Sequence, residues 1–143
     1  MPDEESCTLT LEGRADLECV ERVHDLVDEL WVHVPDVDLM ERYRFETAVI
    51  EVAGNIVEHG GADIRLRLWL LVRPEKIEAQ FRDTGRPVDL QAAVARVPDP
   101  MAEAGRGIAL ARSAVDEVTY DRTGSTNRWR VLLRRNEAVH TID

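Results

Sequence analysis

The chain has few cysteines and no long apolar segment, and both shortages narrow what it can be. Its two cysteines, Cys7 and Cys19, are too few for a disulfide framework in 143 residues, which indicates a reduced, cytoplasmic setting. No apolar run approaches the roughly 20 residues that a membrane helix needs. The acidic first residues, MPDEESC, are the opposite of a secretory leader. We therefore expect a cytoplasmic protein with no membrane partner.

Positive charge is also scarce, since 18 Lys and Arg residues stand against 28 Asp and Glu residues and give a formal net charge of −10. A nucleic-acid binder would neutralise phosphates with basic residues, so this balance argues against one. It fits a protein partner with a basic surface, although acidic charge also simply aids solubility. The composition is otherwise that of a globular protein, and 143 residues are most simply one domain, 1–143.

Hydrophobic periodicity predicts the element order β-α-α-β-β-(α)-α-β-β. The strands are predicted at residues 6–12, 62–72, 76–82, 117–121 and 128–134, and the helices at residues 16–34, 38–59, 89–97 and 107–116. Strands that come in neighbouring pairs favour a largely antiparallel or mixed sheet with helices on one face. The predicted fold is therefore a two-layer α/β (α+β) sandwich.

The helix that ends at residues 60–61 carries the first chemically suggestive pair. In the run FETAVIEVAGNIVEHGG, apolar residues three and four apart form one stripe, and Glu51 and Asn55 lie four apart beside it. An amide oxygen suits Mg²⁺, and a carboxylate one turn away can accept a proton from an attacking hydroxyl. Taken alone, the pair is more typical of a solvated polar edge of a helix.

The second suggestive stretch, Asp83-Thr84-Gly85, follows a predicted strand. A carboxylate there can accept a hydrogen bond from an exocyclic amine, and glycine lets a flat ring approach the backbone. An ordinary Asp-containing turn is the alternative.

The third stretch, Gly105-Arg106-Gly107, opens a predicted helix. Exposed backbone N–H groups at a helix N-terminus favour anions such as phosphate. No GK[ST] follows, and no third glycine is present, so the stretch is neither a P-loop nor a dinucleotide-binding fingerprint. A flexible loop entering a helix is the alternative.

The ordered set is more specific than its parts. ExxxN on a helix, DxG after a strand and GxG at a helix start together resemble the GHKL ATPase superfamily, which has the Bergerat fold. Three segments are similar to those of the anti-sigma-factor serine/threonine kinases of the RsbW and SpoIIAB type within this superfamily: EVAGNIVEHG, FRDTGRPVD and AGRGIALAR. The resemblance extends from about Leu9 to Leu133.

The resemblance implies that the chain binds ATP and Mg²⁺. Asn55 would hold the Mg²⁺ that bridges the phosphates, and Glu51 would be the general base. Asp83 would accept a hydrogen bond from the adenine amino group, with Gly85 beneath the ring. Two further residues complete this part of the implied site: His59 near the end of the helix, and Thr126, whose hydroxyl would lie near the adenine and its water.

The phosphate end of the nucleotide would be bound by the loop before the last helix. Gly105 and Gly107 would contribute backbone contacts, Arg106 would meet the γ-phosphate, and Ile108 would follow at the helix start. Residues 98–104 would form the lid. The lid has only the two glycines of GRG and not the longer glycine-rich run of many relatives. We expect no phosphoacceptor-histidine domain before the ATP module, which disfavours a sensor histidine kinase.

The first functional hypothesis is a serine/threonine kinase that phosphorylates a STAS-domain antagonist protein in a partner-switching pathway. The alternative is a nucleotide-modulated binding module that sequesters a sigma factor or another regulator without kinase activity. A homodimer is expected from the resemblance, through the first strand and helix.

Overall fold

The computed structural model describes residues 6–89 and 107–135, which form five strands and three helices. The strands are β1 (Cys7–Arg14), β2 (Arg65–Val72), β3 (Lys76–Asp83), β4 (Glu117–Thr123) and β5 (Thr126–Arg134), and the helices are α1 (Leu17–His33), α2 (Leu39–His59) and α3 (Gly107–Ala114). All neighbouring strands are antiparallel, in the order β1-β2-β3-β5-β4. The predicted two-layer α+β sandwich is confirmed.

Aspartate caps set the starts of both long helices. Asp16 Oδ1 accepts a hydrogen bond from Cys19 N at 2.9 Å, and Asp38 Oδ2 accepts one from Met40 N at 3.2 Å. Such caps satisfy N–H groups that have no partner within the helix. Both helices therefore begin where their sequence predicts.

Helix α2 lies at the centre of the helical layer, where it contacts α1, α3, β3 and β5. Its predicted apolar stripe is buried, with Phe45, Val49 and Val52 fully excluded from solvent. Burying each such side chain contributes about 1.5–3 kcal/mol. The stripe therefore holds α2 in place and leaves the polar pair beside it partly accessible.

Strand pairing extends the strands at two places beyond their predicted ends. β1 continues through Gly13, which pairs with Leu66, because the ladder to β2 outweighs the weak strand preference of glycine. In the β4–β5 hairpin, Thr123 pairs with Thr126, so the predicted six-residue turn shortens to Gly124 and Ser125. The positive φ of Gly124, 61°, suits such a two-residue hairpin.

The short helix predicted at 89–97 lies outside the described residues except for its first residue, Asp89. The lid predicted at 98–104 lies outside them entirely. Within the described ranges, every helix is too short or too polar to cross a membrane.

Candidate functional site

One face of α2 carries Glu51, Asn55 and His59, which follow one another at intervals of four residues. Glu51 and Asn55 are partly buried, whereas His59 is exposed at the last position of the helix. His59 Nε2 lies 3.9 Å from Glu58 Oε2, its neighbour in the chain. Glu51 and Asn55 are thus partly shielded from solvent, whereas His59 lies at the exposed end of the helix.

Glu51 meets the first residue of α3. A Cβ built on Gly107 would lie 3.0 Å from Glu51 Oε1, which is tighter than almost all real Cβ contacts. The next residue, Ile108, is buried and fixes the start of α3 in the core. Because the N-terminus of a helix is its positive end, the Glu51 carboxylate lies beside the positive end of α3. The first and third motifs of the sequence therefore converge.

Asp83, the last residue of β3, is only 3% exposed and accepts three hydrogen bonds. Its Oδ1 accepts from Gly85 N at 2.8 Å and from Asn127 Nδ2 at 2.9 Å, and its Oδ2 accepts from Trp129 Nε1 at 3.2 Å. An ionised carboxylate has about four lone-pair positions. The three donors orient Asp83 and leave capacity at Oδ2 for one more, as an exocyclic amine would require.

The turn that contains Gly85 is packed against the end of α2. A Cβ on Gly85 would lie 2.9 Å from Gly60 Cα, and Arg86 N donates a hydrogen bond to Gly60 O at 3.1 Å. On the other side of the turn, Thr84 Oγ1 accepts from Arg65 N at 2.9 Å. The second motif is therefore fixed at the C-terminal end of the helix that carries the first.

Asn127 is a member of this site that the sequence did not reveal. It is 1% exposed, and its Nδ2 lies within hydrogen-bond distance of Asp83 Oδ1, Gly85 O and Arg86 O. Its Oδ1 accepts from Arg122 Nη1 at 2.7 Å and from the Tyr120 hydroxyl. The inward alternation of β5 could have found it, since extending the apolar positions 133, 131 and 129 back by two residues reaches Asn127.

Thr126 does not share the face of Asp83. Asp83 pairs directly with Asn127 across β3 and β5, and directly opposed residues point to the same side of a sheet. The preceding residue, Thr126, therefore starts β5 on the other side, although it lines the same hollow as Asp83, Thr84 and Arg65. The expectation that the Thr126 hydroxyl lies near the adenine and its water stays a prediction.

Gly105 and Arg106 lie outside the described residues, so Gly107 is the only member of the predicted phosphate-binding loop that the structure describes. The described donors nevertheless suit Mg²⁺, which takes oxygen ligands and completes its shell with waters and substrate phosphates. Glu51 supplies such an oxygen beside the close glycine contact, and Asn55 follows it one helical turn later. No cluster of three His, Cys, Asp or Glu side chains that could hold a metal occurs within residues 6–89 and 107–135.

A sequence model of the histidine kinase-like ATPase domain matches residues 13–133 of the chain. A comparison with curated protein sequences found no match.

Several solved structures have the same fold. The RsbU and RsbW domains of Rv1364c from Mycobacterium tuberculosis align with a TM-score of 0.65 and 18% identity, over 90% of this chain and 32% of that one. The histidine kinase domain of a blue-light activated kinase from Erythrobacter litoralis aligns with a TM-score of 0.53 and 17% identity, over 68% and 46%. The catalytic domain of histidine kinase ThkA aligns with a TM-score of 0.55 and 11% identity, over 89% and 98%. The chain thus spans less than half of the first two proteins, and these identities establish the fold alone.

Proposed function

Because the chain belongs to the histidine kinase-like ATPase domain family, we propose that it is an ATP-dependent serine/threonine protein kinase and anti-sigma-type regulator. Its substrate is a STAS-domain antagonist protein in a cytoplasmic partner-switching pathway. The observation that carries the proposal is the contact between Glu51 and Gly107, which joins a carboxylate to a phosphate-type helix N-terminus.

The reaction assigns one task to each end of the site. The acceptor serine Oγ bonds to the γ-phosphorus of ATP while the bond from that phosphorus to the βγ-bridging oxygen breaks, and ADP leaves. Glu51 takes the serine proton, and N–H groups at the start of α3 stabilise phosphate charge. Asp83 orients the nucleotide through the adenine amine, since its own orientation is fixed by three donors.

Asn55 would hold the Mg²⁺ through its amide oxygen. When bound with ATP, the ion neutralises phosphate charge. Glu51 lies one helical turn before Asn55, so the base and the metal ligand reach the same side of α2.

A groove supports transfer to a protein over simple ATP hydrolysis. It encloses about 560 Å³ between the helices, and Glu51 is one of its lining residues. Its rim includes Leu39, Tyr43 and Leu110, which are 74%, 69% and 41% exposed. Exposed apolar patches of this kind mark protein-binding surfaces. A protein substrate that covers this rim would bring its hydroxyl to Glu51.

The choice of a STAS-domain partner rests on two observations: one structural neighbour contains an RsbW domain, and the sequence motifs resemble those of RsbW-type kinases. The same relationship suggests that the protein sequesters a sigma factor or another regulator and that it forms a homodimer.

Phosphotransfer tests the proposal directly. Radiolabelled ATP, Mg²⁺ and a STAS-domain protein encoded beside this gene are incubated with wild type, Glu51→Gln, Asn55→Ala and the control Glu21→Gln. Glu21 is exposed on α1, away from the proposed site, so its variant removes one carboxylate charge from the surface. We expect Glu51→Gln to lower the rate at least about 100-fold, the lower range for a general base, while ATP binding persists, and Glu21→Gln to retain the wild-type rate.

Two results would contradict parts of the proposal. Normal phosphorylation by Glu51→Gln removes its role as the base. Binding of the STAS protein by wild type without any label transfer rejects the kinase activity and leaves a nucleotide-modulated binding module.

A further inference from the structure

The sheet face turned away from the helices, here called the open face, has a charge opposite to that of the whole chain. The strand registers place on it eight of the 18 Lys and Arg residues but only four of the 28 Asp and Glu residues. The basic members are Arg14, Arg65, Arg67, Lys76, Arg82, Arg128, Arg130 and Arg134, and the acidic members are Glu12, Glu78, Glu117 and Asp121. The net charge of −10 therefore conceals a positive surface.

Three arginines form a row across the centre of the open face. Arg67 pairs with Arg82 across β2 and β3, and Arg82 pairs with Arg128 across β3 and β5. Like charges in directly opposed positions destabilise a sheet. The row is closed by an acid at each edge, Glu12 on β1 and Asp121 on β4. Such a row costs folding free energy that a bound anion would offset.

The positive charge of the open face is only partly neutralised. Five of its basic side chains lie within 4.0 Å of a carboxylate, as in the Arg130 Nε–Glu78 Oε2 pair at 2.9 Å. Within residues 6–89 and 107–135, Arg65, Arg82 and Arg128 have no carboxylate at that distance. These three guanidinium groups keep their capacity for an external anion.

Trp69 lies among these arginines and is partly exposed. The Cζ atoms of Arg67 and Arg82 lie 5.3 and 5.1 Å from its ring centroid, within cation–π range. The other two tryptophans, Trp31 and Trp129, are buried. Arginine and tryptophan dominate the energetic centres of protein interfaces. The ring holds two guanidinium groups in place and offers an apolar surface beside them.

Two hollows flank Arg82 on the open face. One encloses about 300 Å³ and is lined by Arg82, Arg128 and Arg130 among others. The other encloses about 280 Å³ and includes Arg65 and Arg67 with Arg82. Each hollow is therefore lined by three arginines and by two acids, Glu78 and Asp121 in the first and Glu12 and Asp83 in the second.

We propose that the open face binds an acidic segment of another protein. Its carboxylates pair with Arg65, Arg82 and Arg128, and an adjacent apolar side chain packs on Trp69. Because an acid closes each end of the row, the positive surface fits a short acidic segment, whereas the charge of a duplex or of an anionic membrane extends past both ends and meets those acids. A twofold contact between two open faces would oppose the arginine rows to each other. This inference does not depend on the proposed kinase activity.

Binding of a fluorescein-labelled poly-glutamate peptide tests the open face. Fluorescence anisotropy compares wild type with the double variant Arg82→Gln/Arg128→Gln and with the control Arg22→Gln/Arg112→Gln. The control removes the same charge from exposed positions on α1 and α3. We expect Kd to rise about tenfold in the first variant, from the loss of two charge-assisted contacts, and to remain within about twofold in the control. Trp69 fluorescence should change on binding, and Trp69→Phe should remove that change.

Each contrary result is distinguishable. Equal Kd values for wild type and Arg82→Gln/Arg128→Gln overturn the proposal. Tighter binding of a DNA duplex or of phosphatidylserine vesicles than of the peptide, lost in the same variant, replaces the acidic protein with that ligand. A wild-type dimer that this variant dissociates assigns the face to self-association. Far-ultraviolet circular dichroism confirms that each variant is folded, which is expected because all four arginines are exposed.

Discussion

Asn127 Nδ2 lies 2.9 Å from Asp83 Oδ1 and ties the carboxylate on β3 to strand β5. Because the same amide group also reaches Gly85 O and Arg86 O, it holds the whole turn after β3. Buried hydrogen-bond networks of this kind fix a single geometry when every member is satisfied. The orientation of the Asp83 carboxylate therefore depends on Asn127.

Replacing Asn127 with leucine should damage both stability and ATP binding. Asp83 Oδ1 would keep only the Gly85 N–H, and several buried polar groups would lose a partner, at a cost of about 2–4 kcal/mol in the free energy of unfolding. Urea denaturation measures that loss, and calorimetric titration should show at least a tenfold increase in the Kd for ATP.

Thr126→Val is the matched control for Asn127. It alters the neighbouring residue, which faces the opposite side of β5. We expect less than about 0.5 kcal/mol in stability and less than a twofold change in the Kd for ATP. A weakening of ATP binding by Thr126→Val equal to that of Asn127→Leu would instead support the predicted place of the Thr126 hydroxyl near the adenine.

The junction between Gly85 and α2 tolerates no side chain. In Gly85→Ala the new Cβ would lie 2.9 Å from both Gly60 Cα and Asp83 Oδ1, and the backbone atom cannot yield without moving α2 or the turn. We expect a loss of about 1–3 kcal/mol, as for an overpacked core position, and weaker ATP binding.

Gly54→Ala provides the opposite case within α2. A Cβ there meets nothing within 4 Å, so the substitution should stabilise the helix by about 0.5–1 kcal/mol. Thermal unfolding followed by circular dichroism measures both glycine variants. If the Gly85→Ala protein were as stable as the Gly54→Ala protein, the close packing of Gly85 against Gly60 would not restrict the side chain at position 85.

Gly107→Ala should separate activity from stability. Its Cβ would lie 3.0 Å from Glu51 Oε1, the end of a side chain that can move, so the fold should survive with less than about 1 kcal/mol of change. The displaced carboxylate would no longer meet the acceptor hydroxyl, and we expect phosphotransfer to fall at least about tenfold, because small misplacements of catalytic groups are costly. Equal losses of unfolding free energy and activity would indicate a merely structural glycine.

Local patterns predicted most of the fold because the physics that forms its elements is local. Alternation along 76–82 and the stripe through Phe45 and Val49 record which side of each element is buried. Asp16 and Asp38 cap helices through contacts two or three residues away. These features need no knowledge of the rest of the chain.

Relationships between distant segments could not be predicted in the same way. The extension of β1 through Gly13 depends on a partner more than 50 residues away, and Asn127 became part of the site only through its register with Asp83. The charge of the open face arises from side-by-side placement of arginines from separate strands. The net charge of the whole chain is negative, whereas the charge of the open face is positive.

Glu78 is an acid almost buried on the open face, with its side chain 5% exposed. Gln80 Nε2 and Arg130 Nε donate to its Oε2 at 2.8 and 2.9 Å, and Lys76 Nζ lies 3.0 Å from Oε1. Burial alone would raise the pKa of Glu78, but the hydrogen bonds from Arg130, Gln80 and Lys76 outweigh it and lower the pKa to about 2 from 4.5. The folded state therefore prefers the ionised form more strongly than the unfolded state does.

The stability conferred by Glu78 should consequently disappear in acid. It is fully present above pH 4.5, and it is lost as the pH falls toward 2, because the unfolded chain then binds a proton that the folded chain rejects. We expect Glu78→Gln to lower the free energy of unfolding by on the order of 2 kcal/mol near neutral pH. The difference from wild type should shrink as urea denaturation is repeated at decreasing pH. Glu117→Gln, which removes an exposed partner of Arg134, is the control and should cost less than about 1 kcal/mol. A Glu78→Gln deficit that stays constant with pH would show that the carboxylate contributes through packing rather than through its charge.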